Sequence, residues 1–335
     1  MHGAGMALLR LLLSTSISVV VAGLVVLGLA ADTLNIWLLS FVYSFRIYIG
    51  AVTILIGTLA ILIYRRNFVA YALVFVATSS TLYAYIDSRA FSPGLLFGAT
   101  IDAEPNLRVV SFNVLGDNPH GARIVEILSE LDPDIAIILE ARALRTELDG
   151  LSETYPYRIG CGEVMRRCDS LILSKYDIEN REVHDLSVLS PDRLLSGDII
   201  FEGVAIRVAS AHLTKPYYDG RQRSEIWEVV RRFLDYQGNL ILAGDFNSSF
   251  LQPSTRRIPD LLNLQTGPSE PASWPIAAGR WGIAIDHILA RPPLQIVQTR
   301  QIEDNAGSNH FGLYADIFVP GTVGRGPENV VATAP

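Results

Sequence analysis

Between Met6 and Ala30 the chain carries one charged residue, Arg10, in a run of leucine, valine and small residues. A bilayer core of about 30 Å takes about 20 apolar residues to cross as a helix. This segment is long enough, and its surface must end up in lipid or buried in protein. Two more such segments follow, Ile47 to Tyr64 and Asn67 to Ile86, the last with tyrosines at interface depth. Asn35 to Arg46 reads either as an interfacial helix or as an extension of the second span. The small residues of AGLVVLGLAA would also suit signal-peptide cleavage, but the later spans favour a retained anchor. No ionisable residue falls at mid-span, so a transport pathway has no support.

Arg65 and Arg66 lie between the second and third spans. The positive-inside rule puts them, with Arg10, in the cytoplasm. Three spans then leave everything after about Ser88 on the far side, with Arg46 and Arg89 as the opposing charges. The chain divides into a transmembrane region (1–90, spans near 6–30, 47–64 and 67–86), a linker (91–106), a soluble domain (107–320) and a Gly/Pro-rich tail (321–335) that composition marks as disordered. The net charge of −7 argues against a strongly basic nucleic-acid binder, because phosphate neutralisation needs clustered Lys and Arg.

From Leu107 strand-like and helix-like segments alternate. LRVVSFNV, DPDIAIILEA, DSLILS, EGVAIRVASAHL, NLILAG, GIAIDHILA and GLYADIFV read as strands from their β-branched content. ARIVEILSEL and GRQRSEIWEVVRRFLDYQ keep helical apolar spacing. Polar residues recur at the strand ends: Asn113, Glu140, His212, then Asp245 and Asn247 just past Gly244, with Asp286 late in its strand and Asn309 and His310 before the last one. In α/β folds ligands gather beyond the carboxyl ends of strands, so these distant residues can converge. Gly244 reads as the residue that lets the chain turn sharply there. Asp286 interrupts an apolar strand, and a buried carboxylate needs a partner. Each residue alone has a blander reading, as a turn former, a solvated acid or a core histidine; the combination is the specific signal. The two cysteines, Cys161 and Cys168, are unrelated thiols in a cytosolic protein, whereas in an exported one they could close a disulfide across a hairpin.

SFNVLG, IILEA, SAHL, LAGDFNSS, SWP, IDHIL and GSNHFGL occur in the order and spacing of the endonuclease/exonuclease/phosphatase superfamily, which Leu107 to Val319 therefore resembles. With its three spans the chain looks like a membrane-anchored bacterial member, multi-pass in the inner membrane with a periplasmic C-terminal domain. The resemblance implies an α/β fold, a two-sheet, four-layer α/β sandwich preceded by three transmembrane helices. It implies phosphodiester or phosphomonoester hydrolysis by activated water with Mg²⁺, or Mn²⁺, as cofactor. Glu140 would hold the metal, with Asn113 and Asn309 beside it. Asp245 would orient or activate the water, and Asn247 would hold a phosphate oxygen or the water. His310 would pair with Asp286, which would raise the pKa of the imidazole. His212 would be a second imidazole on the phosphate or leaving group, and Arg221, opening the helix after it, a substrate contact together with Asn113.

The family usually has Asp where this chain has Asn309. An amide oxygen ligates without charge, which keeps open an alternative: a catalytically weak phosphoester-binding domain on a membrane anchor. A purely structural membrane protein would not need the polar strand ends. Nucleic acid, lipid head group and sugar phosphate all remain as substrate classes; the bilayer is the other partner, and no protein partner is indicated.

Overall fold

The computed structural model describes residues 2–34, 36–91, 103–162, 164 and 167–321. Most of the expected linker and nearly all of the expected tail lie outside these residues. Three apolar helices come first: α1 (His2–Thr33), α2 (Ser40–Ile63), entered through a single 3-10 turn at Trp37–Leu39, and α3 (Phe68–Asp87). By length and composition, Ala4–Ala30, Trp37–Ile63 and Phe68–Asp87 can each cross a membrane. Asn67 caps α3, its Oδ1 accepting from Ala70 N at 3.1 Å, while its Nδ2 donates to Ser14 and Ser18 of α1. The cap therefore also fixes how α3 meets α1.

The second span starts earlier than the 47–64 drawn from hydropathy. The segment before Ile47 is continuous with it, so Arg46 lies inside α2. Its guanidinium lies 5.8 Å from the Tyr83 ring centre, and Nη2 is 3.5 Å from Ser80 Oγ. A cation within an apolar helix is tolerated where a neighbouring helix offers it a polar or aromatic face.

The rest is a sandwich of two mixed sheets. The first runs β10 (Gln295–Gln301), β11 (Leu313–Phe318), β1 (Leu107–Asn113), β2 (Ile135–Leu139), β4 (Ser170–Ser174), β3 (Tyr157–Ile159). The second runs β5 (Ile178–His184), β6 (Leu194–Phe201), β7 (Val204–Ala211), β8 (Asn239–Asp245), β9 (Asp286–Ala290). Leu107, Ile137, Leu195, Val208 and Ile241 help fill the space between the sheets. On the outer face of the first sheet, α4 (Gly121–Leu131), a 3-10 turn at Ala141–Leu144 and α5 (Leu148–Leu151) cover Phe112 and Ile138. On the outer face of the second, α6 (Arg221–Phe233) and α7 (Arg257–Leu262) cover Leu240 and Leu242. Central strands are thus apolar on both faces, and four layers result.

The helices and the sandwich touch at defined points. Asp87, at the end of α3, pairs with Arg256, whose guanidinium also lies 5.0 Å from the Phe91 ring. Thr266 N donates to Phe91 O at 2.9 Å. The Tyr48 hydroxyl of α2 reaches the carbonyls of Trp281 and Gly282 at 2.7 and 2.9 Å.

Gly244 does not turn the chain as its sequence position suggests. The strand runs straight through it to Asp245, which pairs with Asp286 across β9. What glycine provides is a φ of +147° and room for β7: a Cβ there would lie 2.0 Å from the carbonyl oxygen of Ala211. Gly244→Ala is expected to destabilise the protein by more than about 3 kcal/mol, the range of severe backbone clashes. Thermal denaturation followed by near-UV circular dichroism checks this; a stability within about 1 kcal/mol of the parent would contradict it.

Candidate active site

One edge of the sandwich collects the polar residues, and topology explains why. β1, β2, β7 and β8 end there, while their antiparallel neighbours β4, β6, β9 and β11 begin there. Asp286 accordingly opens β9 rather than lying late in a strand, and sits directly opposite Asp245. The edge is built from strand starts as well as strand ends.

Asp245 is at the centre and almost fully buried. Its Oδ1 accepts from Asn247 N at 2.8 Å. Its Oδ2 accepts from Asn113 Nδ2 at 3.0 Å and lies 3.9 Å from the Nε2 atoms of both His212 and His310. Those two separations exceed a hydrogen bond, so each imidazole faces the same carboxylate across a gap. Burial, and then the Asp286 charge, push the Asp245 carboxyl above its ordinary range, against the lowering pull of His310 and His212.

Each imidazole has a carboxylate of its own. His310 Nδ1 is 2.8 Å from Asp286 Oδ2, and His212 Nδ1 is 2.7 Å from Asp169 Oδ2. Burial opposes charge on His310, but Asp286 and Asp245 outweigh it and raise its pKa to about 9. Asp169 is held below the usual carboxylate range: burial works against this, and the hydrogen bond and charge of His212, with Arg193, prevail. Arg193 Nη2 donates to Asp169 Oδ1 at 3.2 Å. Ser308 Oγ donates to Asn113 O at 2.6 Å and accepts from His310 N, locking the His310 loop onto β1. Ser273 Oγ accepts from the amides of Ile285 and Asp286, both at 3.0 Å, and so holds the other partner.

Glu140 lies half-buried beyond β2. Burial favours its neutral form, yet hydrogen bonds from Gly116 N (2.9 Å) and Asn113 Nδ2 (3.2 Å) keep its pKa below the ordinary value. Its φ of +53° is left-handed, as is that of Asn247 at +52°. Asparagine adopts this region readily and glutamate does not; such a conformation persists where the surroundings impose it, typically at functional sites. Asn247 Nδ2 donates to Leu213 O at 2.8 Å and lies 3.3 Å from Asp245 Oδ2.

Other residues named from the sequence stand outside this hydrogen-bonded cluster. Asn309 is exposed between buried Ser308 and His310 and makes no hydrogen bond among the described residues. Arg221 lines a cavity of about 250 Å³ with Glu140, His212 and Asn247, but its guanidinium is paired with Asp219 at 2.6 Å. Cys161 and Cys168 are joined in a disulfide. Asp169 and Arg193 carry no signal in the sequence, and Ser273 and Ser308 stand in its SWP and GSNHFGL motifs without an assigned role. Asp169 opens DSLILS, and only the antiparallel pairing of β4 with β2 brings that start to the active edge.

Ligand atoms of Asp245, Asp286 and His310 lie within 4.8 Å of one another, a spacing that can hold a divalent metal ion. The donor chemistry fits such an ion. Asp286 Oδ1 is buried without a hydrogen-bond partner, and a cation would relieve the crowding of Asp245 by Asp286. The hydrogen bonding divides the roles, because His310 Nδ1 is engaged by Asp286 and the imidazole favours its protonated form. Carboxylate and amide oxygens are the better ligands for a hard cation.

A family model for the endonuclease/exonuclease/phosphatase family matches residues 110–310. No curated protein matches the chain by sequence. Among solved structures, D. rerio TDP2 complexed with a single-strand DNA product superposes with a TM-score of 0.54 at 17% identity, covering 64% of this chain and 99% of that one. An endonuclease/exonuclease/phosphatase from Beutenbergia cavernae DSM 12333 gives 0.52 at 18% identity, covering 65% and 73%. The human Nocturnin catalytic domain with a bound sulfate anion gives 0.51 at 17% identity, covering 65% and 96%. At these identities the likeness is one of fold. With the family model spanning most of the chain and a buried Asp/His cluster at the edge of two mixed sheets, the chain belongs to the endonuclease/exonuclease/phosphatase family of metal-dependent phosphoester hydrolases.

Proposed function

We propose that the protein is a membrane-anchored, extracytoplasmic Mg²⁺-dependent phosphoesterase. The observation that carries this reading is the carboxylate of Asp245, held between two imidazoles that each lean on a carboxylate of their own. Glu140 and Asn113 would hold the ion together with Asp245, with Asn309 at the rim; bound there, Mg²⁺ would neutralise charge on the phosphoryl oxygens. Asp245 orients the attacking water and takes its proton. Asn247, its amide nitrogen engaged by Leu213 O and Asp245, positions the attacking water through its amide oxygen. His310, kept cationic by Asp286, stabilises the charge that grows on the phosphoryl group. His212, aligned by Asp169, faces the leaving oxygen. Arg193 and Lys215 line the same polar cavity and favour an anionic occupant.

The arginine pair Arg65–Arg66 between α2 and α3 supports an extracytoplasmic domain through the positive-inside rule, and the disulfide is in keeping with an oxidising compartment. The protein purified in detergent is expected to hydrolyse bis(p-nitrophenyl) phosphate or p-nitrophenyl phosphate with Mg²⁺, to lose that activity in EDTA, and to regain it when Mg²⁺ is restored. No turnover of either ester with Mg²⁺ or Mn²⁺ would sink this reading.

A further inference from the structure

Two cavities meet over the catalytic atoms. The polar one, about 250 Å³, holds Glu140, Arg193, His212 and Arg221. The other, about 320 Å³, is walled on one side by Phe41 and Phe45 of α2 and on the other by Tyr217, Trp274, Ile283 and Ile285, and it reaches His310. Asn247 and Lys215 line both. The junction between an apolar space and a polar one therefore falls on the Asn247 amide and the Lys215 side chain, with His310 on the apolar side and His212 on the polar side. A molecule that divides the same way, with a phosphoester between an apolar chain and a polar group, would place its phosphorus at that junction.

The apolar wall belongs to a helix long and apolar enough to cross a bilayer. Phe41 and Phe45 lie in its first two turns, at the end nearest the sandwich. Tyr48, less than one turn further on, is fixed to Trp281 and Gly282, so the wall stays registered with the catalytic edge. Burial of methylene groups is the interaction such a space offers. Nucleic-acid bases stack on aromatic rings, but here the aliphatic side chains of Ile283 and Ile285 share the wall, and a bilayer around α2 would obstruct a long strand. A sugar phosphate has nothing to fill the space.

We propose that the substrate is a membrane-lipid phosphoester, its tail in the cavity beside α2 and its head group in the polar cavity, cleaved at the bilayer surface. This rests on the phosphoesterase reading above. The reaction needs only water: its oxygen goes to phosphorus, one phosphorus–oxygen ester bond breaks, and a proton reaches the leaving oxygen.

Matched esters test it on the full-length protein in nanodiscs with Mg²⁺: hexadecyl and ethyl p-nitrophenyl phosphate as diesters, and hexadecyl and ethyl phosphate as monoesters. The long-chain member of the hydrolysed pair is expected to show at least a tenfold higher kcat/KM. Phe45→Ala on one wall and Ile283→Ala on the other should each pull that ratio toward one, whereas Leu55→Ala, at an exposed site on α2 away from the cavity, should leave it unchanged. Having both walls represented guards against a single variant that misfolds. Equal turnover of long and short esters would overturn the lipid proposal and leave the phosphoesterase reading standing. A chain-length preference that neither wall variant alters would overturn it too, since partitioning into the bilayer would then suffice. No turnover of any ester would remove both readings.

Discussion

Asp245→Asn is expected to lower kcat by about 10²–10⁴-fold, the range for a single acid–base group, without loss of folding. The side chain keeps its shape, and Asn113 and Asn247 keep a neighbour, but the proposed proton acceptor is gone. The charge lost is one that burial and Asp286 both disfavour. In metal-free protein the melting temperature should therefore stay level or rise while activity collapses. Steady-state kinetics on the ester hydrolysed by the parent, with thermal denaturation of the same preparation in EDTA, measures both. A variant within a few-fold of the parent would remove Asp245 from the reaction.

Asp286→Asn should act through His310. The parent imidazole titrates at about 9 instead of 6.5 because Asp286 and Asp245 overcome the penalty of burial. It is cationic below about 9, so hydrolysis that needs the cation should fall on the alkaline side of that value. Losing Asp286 removes the largest raising influence, and the alkaline limb should move to lower pH as kcat falls. Stability should follow the same group in chelator-treated protein. The contribution of the pair is complete below about 6.5, where the unfolded chain also binds the proton, and is lost as pH rises through about 9. A displacement from 6.5 to about 9 corresponds to roughly 3 kcal/mol of preference for the imidazolium in the folded state. Kinetic and thermal pH profiles of parent and variant that superpose would show that His310 is not governed by Asp286.

The central strands were legible because both of their faces are buried. Val109, Ile137, Leu173 and Leu242 sit in segments with no polar alternation to confuse them. The strands absent from the sequence reading are mostly edges. β3 has three residues, and β5 and β10, IENREVH and QIVQTRQ, carry the charge and polarity with which an edge protects itself from further pairing. β6 is interior but contains Gly197 and Asp198. A Cβ at Gly197 would lie 2.3 Å from Ile178 Cγ2, and Asp198 is neutralised across the ladder by Arg207 at 2.7 Å. Neither compensation shows in a linear string. The same holds in the site. Asn113, Glu140, His212, Asp245, Asn247, Asp286 and His310 stand out because polar residues end or interrupt apolar runs. Asp169 stands before a run, where an aspartate ordinarily reads as a turn, and its partnership with His212 depends on strand direction alone. Arg46 was placed outside the second span because hydropathy drops at a cation, whereas the helix continues wherever a neighbour shelters it.

The hydrogen bonds around Asp245 have a mechanical aspect. His212 belongs to one sheet and Asp169 to the other; so do Asp286 and His310, and likewise Asp245 and Asn113. The rim of the sandwich is stitched shut by the groups that would carry out the reaction, and turnover becomes a gauge of the spacing between two sheets. A misplacement of about 1 Å can lower a rate by about 10²-fold, far more than so small a shift does to overall stability. A methyl group deleted at Ile199, in the core between the sheets, would register first as a slower catalyst and only later as a weaker fold. Selection for activity at this rim is thereby also selection on the packing of a core that the substrate never touches.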